Sequence, residues 1–262
     1  MTGVERETGA GAARLHNGDG RAAMLLVCEH ASCHIPAEYG DLGLPPALRE
    51  AHIAWDPGAL AVAEHLSEAF DAPLVAGAAS RLLFDCNRPP EAPDAIPERS
   101  EIHDIPGNRG LTADARADRV RRFHDPFRAL LAGTLARFAA PPVLVTVHSF
   151  TPVYRGAPRA VQIGLLHDSD DRMARAMFDR AGVHTDLAVA LNQPYGPGDG
   201  VTHTLRAHAL PVGAPNVMLE IRNDLIATPR AQADIGRMLA GWIAAAAADC
   251  GIVTGAEGRP CA

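Results

Sequence analysis

Lysine is absent, and all 24 cationic side chains among the 262 residues are arginine. That excludes lysine Schiff-base chemistry and a phosphate loop of the Walker type, which needs its lysine. Cysteine is sparse. The five present (Cys28, Cys33, Cys86, Cys250 and Cys261) are odd in number and form no CxxC pair, a reduced pattern and not a disulfide framework. No run approaches the roughly 18 uninterrupted apolar residues that span a bilayer, and the alanine-rich stretch 243–248 stops at Asp249. The N-terminal segment lacks the apolar centre of a signal peptide. Positive charge is not in excess either. Thirty-one acidic against 24 basic groups leave a net charge of −7 without a basic block, so nucleic acid and anionic membranes are poor partners. These absences point to a cytoplasmic protein.

What is present suits a globular fold. Hydrophobic residues make up 47% of the chain and charged ones 21%, enough for a sizeable core in one compact domain. The expected organisation is a disordered leader over 1–20, a single domain over 21–253 and a flexible tail over 254–262. Within the domain, short apolar runs alternate with helical periodicities. Strands are expected at 22–28, 74–75, 82–84, 142–147, 160–166 and 217–221. Helices are expected at 60–70, 114–136 with a break near Pro126, 172–181 and 231–247. Such alternation implies an α/β three-layer sandwich around a mixed, largely parallel sheet, with ligands beyond the carboxyl ends of its strands.

Polar residues gather at those strand ends. The first strand runs into Cys28-Glu-His-Ala-Ser32, the strand after Pro142 into His148-Ser-Phe-Thr151, and the strand from Val217 into Glu220-Ile-Arg-Asn-Asp224. Two histidines from separate strand ends with a nearby carboxylate are the minimum for a hydrolytic Zn²⁺ site, which keeps one position open for water. A further glutamate can then act as base. Any one of twelve histidines is more often a surface or capping residue, but two directly following apolar runs shift those odds. No HExxH occurs, so a helix-borne zinc-protease site is excluded. Ser149 has no GxSxG elbow around it, which favours a supporting or capping role over a nucleophile. The glycines of 196–200 suggest a mobile lid. Asn87-Arg88 offers a planar fork and an adjacent amide to a carboxylate, and Arg81 could hold an oxyanion. The competing reading places these arginines in structural ion pairs with Asp85, Glu91 or Asp104.

Five motifs together resemble the N-formylglutamate amidohydrolase family: Cys28-Glu-His-Ala-Ser32, His52-Ile-Ala-Trp-Asp-Pro-Gly-Ala59, Ser80-Arg81 with Asp85-Cys-Asn-Arg-Pro89, His148-Ser-Phe-Thr-Pro152 and Glu220-Ile-Arg-Asn-Asp224. The resemblance runs over about residues 24–245. It implies a fold similar to the zinc carboxypeptidases and aspartoacylases, and a metal-dependent hydrolase of a linear amide. By position, His30 and His148 resemble metal ligands and Glu220 the general base. Arg81 resembles the oxyanion partner, and Asn87 and Arg88 the clamp on a substrate carboxylate, with Ser149 and Arg222 counted in the substrate-binding set. One departure stands out. Carboxypeptidase-like sites carry a carboxylate three residues after the first histidine, where this chain has Cys33. Asp56 is taken as the third ligand, with Glu29 and Cys33 as rivals. The implied cofactor is one divalent metal, Zn²⁺ first, with Co²⁺ and Mn²⁺ as alternatives. The implied substrate is a small carboxylated molecule, N-formyl-L-glutamate foremost. Alternatives are another N-acyl amino acid, a small peptide, or a non-catalytic binding relic. The loop 89–111, with His103 and Asn108, is a candidate for shaping specificity.

Overall fold

The computed structural model describes residues 6–7 and 11–254. Eight strands form one mixed sheet: β1 (Arg6–Glu7), β2 (Ala13–His16), β3 (Met24–Cys28), β4 (Leu74–Gly77), β5 (Val143–Phe150), β6 (Ile163–Leu166), β7 (Val189–Leu191) and β8 (Asn216–Arg222). Their spatial order is β1-β2-β4-β3-β5-β8-β6-β7. The centre is parallel, through the pairs β3–β4, β3–β5 and β5–β8. The antiparallel pairs β1–β2, β2–β4 and β6–β8 lie outside it, and β7 closes one edge in parallel with β6. The central strands are continuous apolar runs because both faces are covered.

Alternation along each strand assigns the faces. Met24, Leu26, Val143, Val145, Val217 and Leu219 pack into one layer. Its helices are α1 (Ala59–Phe70), α4 (Arg172–Asp179) and α5 (Pro229–Asp249). Leu25, Val27, Leu144 and Met218 pack into the opposite layer with α3 (Asp125–Leu135). A third cluster joins Leu42, Leu44 and Ile53 to Leu82, Leu83 and Phe84 and to Ile96, Ile105 and Phe123. The three-layer expectation holds. Among the described residues, no helix is long and apolar enough to cross a membrane.

Two expectations are corrected. The supposed leader contributes sheet: Ala13–His16 pairs antiparallel with Leu74–Gly77, and Ala13 is fully buried. Apolar residues are so few in that segment that Ala13 and Leu15 alone do not read as a strand. Residues 82–84 are buried turn, not strand, their apolar side chains filling the third cluster. The expected tail falls outside the described residues beyond Thr254, which is itself buried. Helix 114–136 is interrupted as expected: α2 (Ala113–Arg119) leads through a wide turn at Val120–His124 into α3, just before Pro126, which has no N–H to continue the hydrogen-bond ladder.

Candidate active site

His148 and Glu220 are register partners on the parallel neighbours β5 and β8. They share the face on which Leu144 and Met218 enter the second layer, two or four residues earlier. Glu29 and His30 follow directly where β3 ends. The segment 52–58 is tied to that end, because Asp56 N donates to His30 O at 2.9 Å. Gly58 then turns the chain into α1 at φ +82°, and a Cβ there would meet Ile226 O at 2.6 Å. Only glycine accommodates both the conformation and the approach.

These constraints bring three donor atoms together in the interior. His30 Nδ1 lies 3.2 Å from Asp56 Oδ2, His148 Nδ1 lies 3.0 Å from the same oxygen, and the two Nδ1 atoms are 3.3 Å apart. Ligands at about 2.0 Å in a tetrahedral Zn²⁺ site are separated by about 3.3 Å, so the spacing fits such a cation. The outer atoms fit too. His30 Nε2 donates to Asp85 Oδ1 at 2.7 Å, and His148 Nε2 makes an ion-pair contact of 3.0 Å with Glu29 Oε2. A carboxylate behind each imidazole selects the tautomer that leaves Nδ1 free to ligate. Together, His30, Asp56 and His148 form a buried group that could bind a metal ion.

Electrostatics favour a cation at the same point. Burial opposes charge throughout the cluster, yet the carboxylates stay ionised. Against that burial, Arg81 and His30 hold Asp56 well below the usual range, His30 lowers Asp85, and His148 lowers Glu29. In return, Glu29 and Asp56 hold His148 well above its ordinary value despite desolvation, and Asp85 and Asp56 raise His30. Protons and a metal would compete for the same nitrogens.

Glu220 differs from the other carboxylates. It is buried, its Oε2 has no hydrogen-bond partner, and desolvation raises its pKa to about 7. Arg81 reaches the cluster with Nη1 at 3.1 Å from both Asp56 Oδ1 and His30 Nδ1. Its Nε and Nη2 donate to the carbonyls of Ile53 and His52. His52 is beside Asp56 at 3.6 Å and is neutral, burial having lowered its pKa to about 3.

A cavity of about 380 Å³ opens onto these groups, and Arg88, Tyr154 and Tyr195 also line it. Several expected substrate-binding residues are already occupied. The Asn87 amide donates to Val201 O at 2.5 Å and accepts from Thr204 N at 3.0 Å, so it holds the loop 196–204. Ser149 supports the ligand segment: its N–H donates to Asp56 Oδ2 at 3.3 Å and its hydroxyl to Pro57 O at 2.9 Å. Arg222 does not line the cavity and grips Asp224 at 2.8 and 3.1 Å. Arg88 lines it while donating to Asp94, Asn87 O and Gly200 O. Of the rival ligands, Glu29 lies behind His148, and Cys33 packs against the third hydrophobic cluster. From the loop 89–111, Arg99, Ser100 and Glu101 reach the cavity. Asn108 is structural, donating to Leu82 O and Pro97 O. Glu29 and Asp85 were missed as partners of the histidines. Their adjacency to His30 and to Asn87 within two motifs was the available signal.

The family model for N-formylglutamate amidohydrolase matches residues 22–227. A gene product of Agrobacterium tumefaciens with a solved crystal structure is 50% identical, with a TM-score of 0.90, covering 92% of this chain and 96% of that one. The N-formylglutamate amidohydrolase of Ralstonia eutropha shares the fold at 20% identity and a TM-score of 0.62, covering 92% and 99%. No curated protein matches the chain.

Proposed function

The chain belongs to the N-formylglutamate amidohydrolase family, and we propose that it hydrolyses a small N-acyl amino acid, N-formyl-L-glutamate foremost, to the free acid and the amino acid. His30, Asp56 and His148 would hold one divalent cation, Zn²⁺ or alternatively Co²⁺ or Mn²⁺. The observation that carries this reading is their convergence at 3.0–3.3 Å beside a buried Glu220 whose Oε2 has no hydrogen-bond partner. Once bound, the cation supplies Lewis acidity toward water and toward the amide carbonyl.

The chain's own residues do the rest. Glu220, poised near neutrality, accepts a proton from the attacking water and returns it to the leaving nitrogen. Arg81 presents its guanidinium where negative charge builds on the acyl oxygen. Arg88 turns its remaining N–H groups toward a substrate carboxylate, which supplies orientation as well as binding. Asn87 serves that arginine indirectly by fixing the loop whose Gly200 carbonyl Arg88 also touches.

Formate release from N-formyl-L-glutamate, measured before and after chelation and after metal is restored, tests the reading. Activity lost on chelation and recovered on reconstitution is expected. Undiminished activity in the chelated protein would remove the metal. A panel of N-acyl glutamates, N-acyl aspartates and dipeptides fixes the acyl group.

A further inference from the structure

The three arginines that the motifs assign to the site carry carboxylates already: Arg81 on Asp56 at 3.1 Å, Arg88 on Asp94 at 2.8 Å and Arg222 on Asp224 at 2.8 Å. Arg159 is different. It makes no ion pair among the described residues, yet it is held from several directions.

The holding begins in a hairpin. Val153–Tyr154 pairs with Ala157–Pro158 across a two-residue turn in which Arg155 and Gly156 both have positive φ, 49° and 80°. The turn returns the chain so that Arg159 N donates to Pro152 O at 2.8 Å. The guanidinium carbon then sits 4.5 Å from the ring centre of Tyr154, 4.9 Å from that of Tyr195 and 5.3 Å from that of Phe150. Nη2 donates to Tyr195 Oη at 2.8 Å, and Nη1 to Thr151 O at 3.4 Å. Arg222, gripped by Asp224, donates from Nη1 to the Arg159 carbonyl at 3.0 Å. The aromatic faces restrain this half-buried cation without neutralising it. Tyr195 and Tyr154 both line the cavity that contains Glu220, and Arg159 stands behind their rings without itself lining it. The Tyr195 hydroxyl is protonated at neutral pH, burial having pushed its pKa up to about 12. Because its oxygen accepts from Arg159, its own proton is available to a different acceptor.

We infer that Tyr195 at the cavity wall and Arg159 directly behind it form the anion subsite for the side-chain carboxylate of the substrate, which makes these two residues the determinants of the preference for an acidic side chain. The inference rests on the hydrolase reading above. It leaves the backbone-proximal carboxylate to Arg88 and makes Arg222 a positioning residue for Arg159. Replacing a carboxylate by an uncharged amide at such a site forfeits a charge-assisted contact, expected to cost about 10- to 100-fold in affinity.

The test compares N-formyl-L-glutamate with N-formyl-L-glutamine in the wild type and in Arg159→Met, Arg159→Lys, Tyr195→Phe and Arg99→Met. The wild type should prefer the glutamate. Arg159→Met should abolish that preference through a higher KM for the glutamate, with the glutamine unchanged. Arg159→Lys should restore part of it and Tyr195→Phe weaken it. Arg99, exposed at the cavity rim, is the control, and Arg99→Met should keep the preference. A preference that survives Arg159→Met, an equal loss for both substrates, or a loss confined to Arg99→Met overturns the subsite. Calorimetric binding of L-glutamate and L-glutamine separates this failure from failure of the hydrolase reading. If neither formyl compound is hydrolysed, tighter binding of glutamate that depends on Arg159 still upholds the subsite, and equal binding of the two overturns it.

Discussion

Glu220 and His148 face each other across the parallel pair β5–β8 as register partners, so backbone hydrogen bonding fixes a buried carboxylate beside a candidate metal ligand. A one-residue slip of either strand would turn its side chain to the opposite face of the sheet.

That arrangement gives Glu220→Gln a clear signature. The amide keeps the shape but cannot accept the proton, and general-base catalysis is worth about 10²- to 10⁴-fold. We expect kcat/KM to fall by that order while metal content is unchanged. Activity near the wild-type level would contradict the assignment of the base.

The carboxylates behind the histidines should appear in metal affinity. Asp85→Asn weakens the hold on His30 and Glu29→Gln the hold on His148, and outer partners of this kind are worth about 10- to 100-fold in affinity. Competition with a chromophoric chelator measures it. Unchanged affinity in both variants would make these contacts incidental to metal binding.

The titration of Glu220 has a definite sign. In the metal-free protein its pKa is about 7, above the ordinary 4.5. The folded state therefore keeps a proton that the unfolded chain has released. The associated stability is fully present below pH 4.5 and is lost as pH rises through about 7. Glu220→Gln does not titrate, so with both proteins chelated its Tm advantage over the wild type should grow between pH 5 and pH 8. A difference independent of pH would refute the buried-proton account. A bound cation adds positive charge nearby and lowers this pKa, so the acid limb of kcat/KM in the metal-loaded enzyme should lie below pH 7.

Asn87 and Arg88 should part company despite being neighbours. With its amide committed to Val201 and Thr204, Asn87→Ala should loosen the loop 196–204 and speed its proteolysis. Arg88→Ala should raise KM for carboxylated substrates about 10-fold or more. Equal effects on KM with no change in cleavage would return Asn87 to the clamp.

Much of this architecture was legible because the central strands are apolar on both faces and end in polar motifs. The run before Glu29 is β3, the run after Pro142 is β5, and Val217–Ile221 lies within β8. His30, Asp56 and His148, named from motif and strand-end position, do converge. Less was legible where position depends on distant chain. Asp85 meets His30 across 55 residues, and Asn87 meets Thr204 across 117, separations that carry no periodicity. The placement of Arg159 is not legible in the sequence because it depends on a hairpin turn and on the ring and hydroxyl of Tyr195, 36 residues away. The polar groups of Ser149 and Arg222 sit in the right motifs but are spent on backbone and on Asp224.

The proposed mechanism stands on a cation held by His30, Asp56 and His148. Elemental analysis of the purified, metal-reconstituted wild type beside His148→Ala and Asp56→Ala tests it most directly. About one metal per wild-type chain is expected, with that metal and formate release both lost in the two variants. A wild type that retains no stoichiometric metal, or variants that retain as much as the wild type, would contradict it.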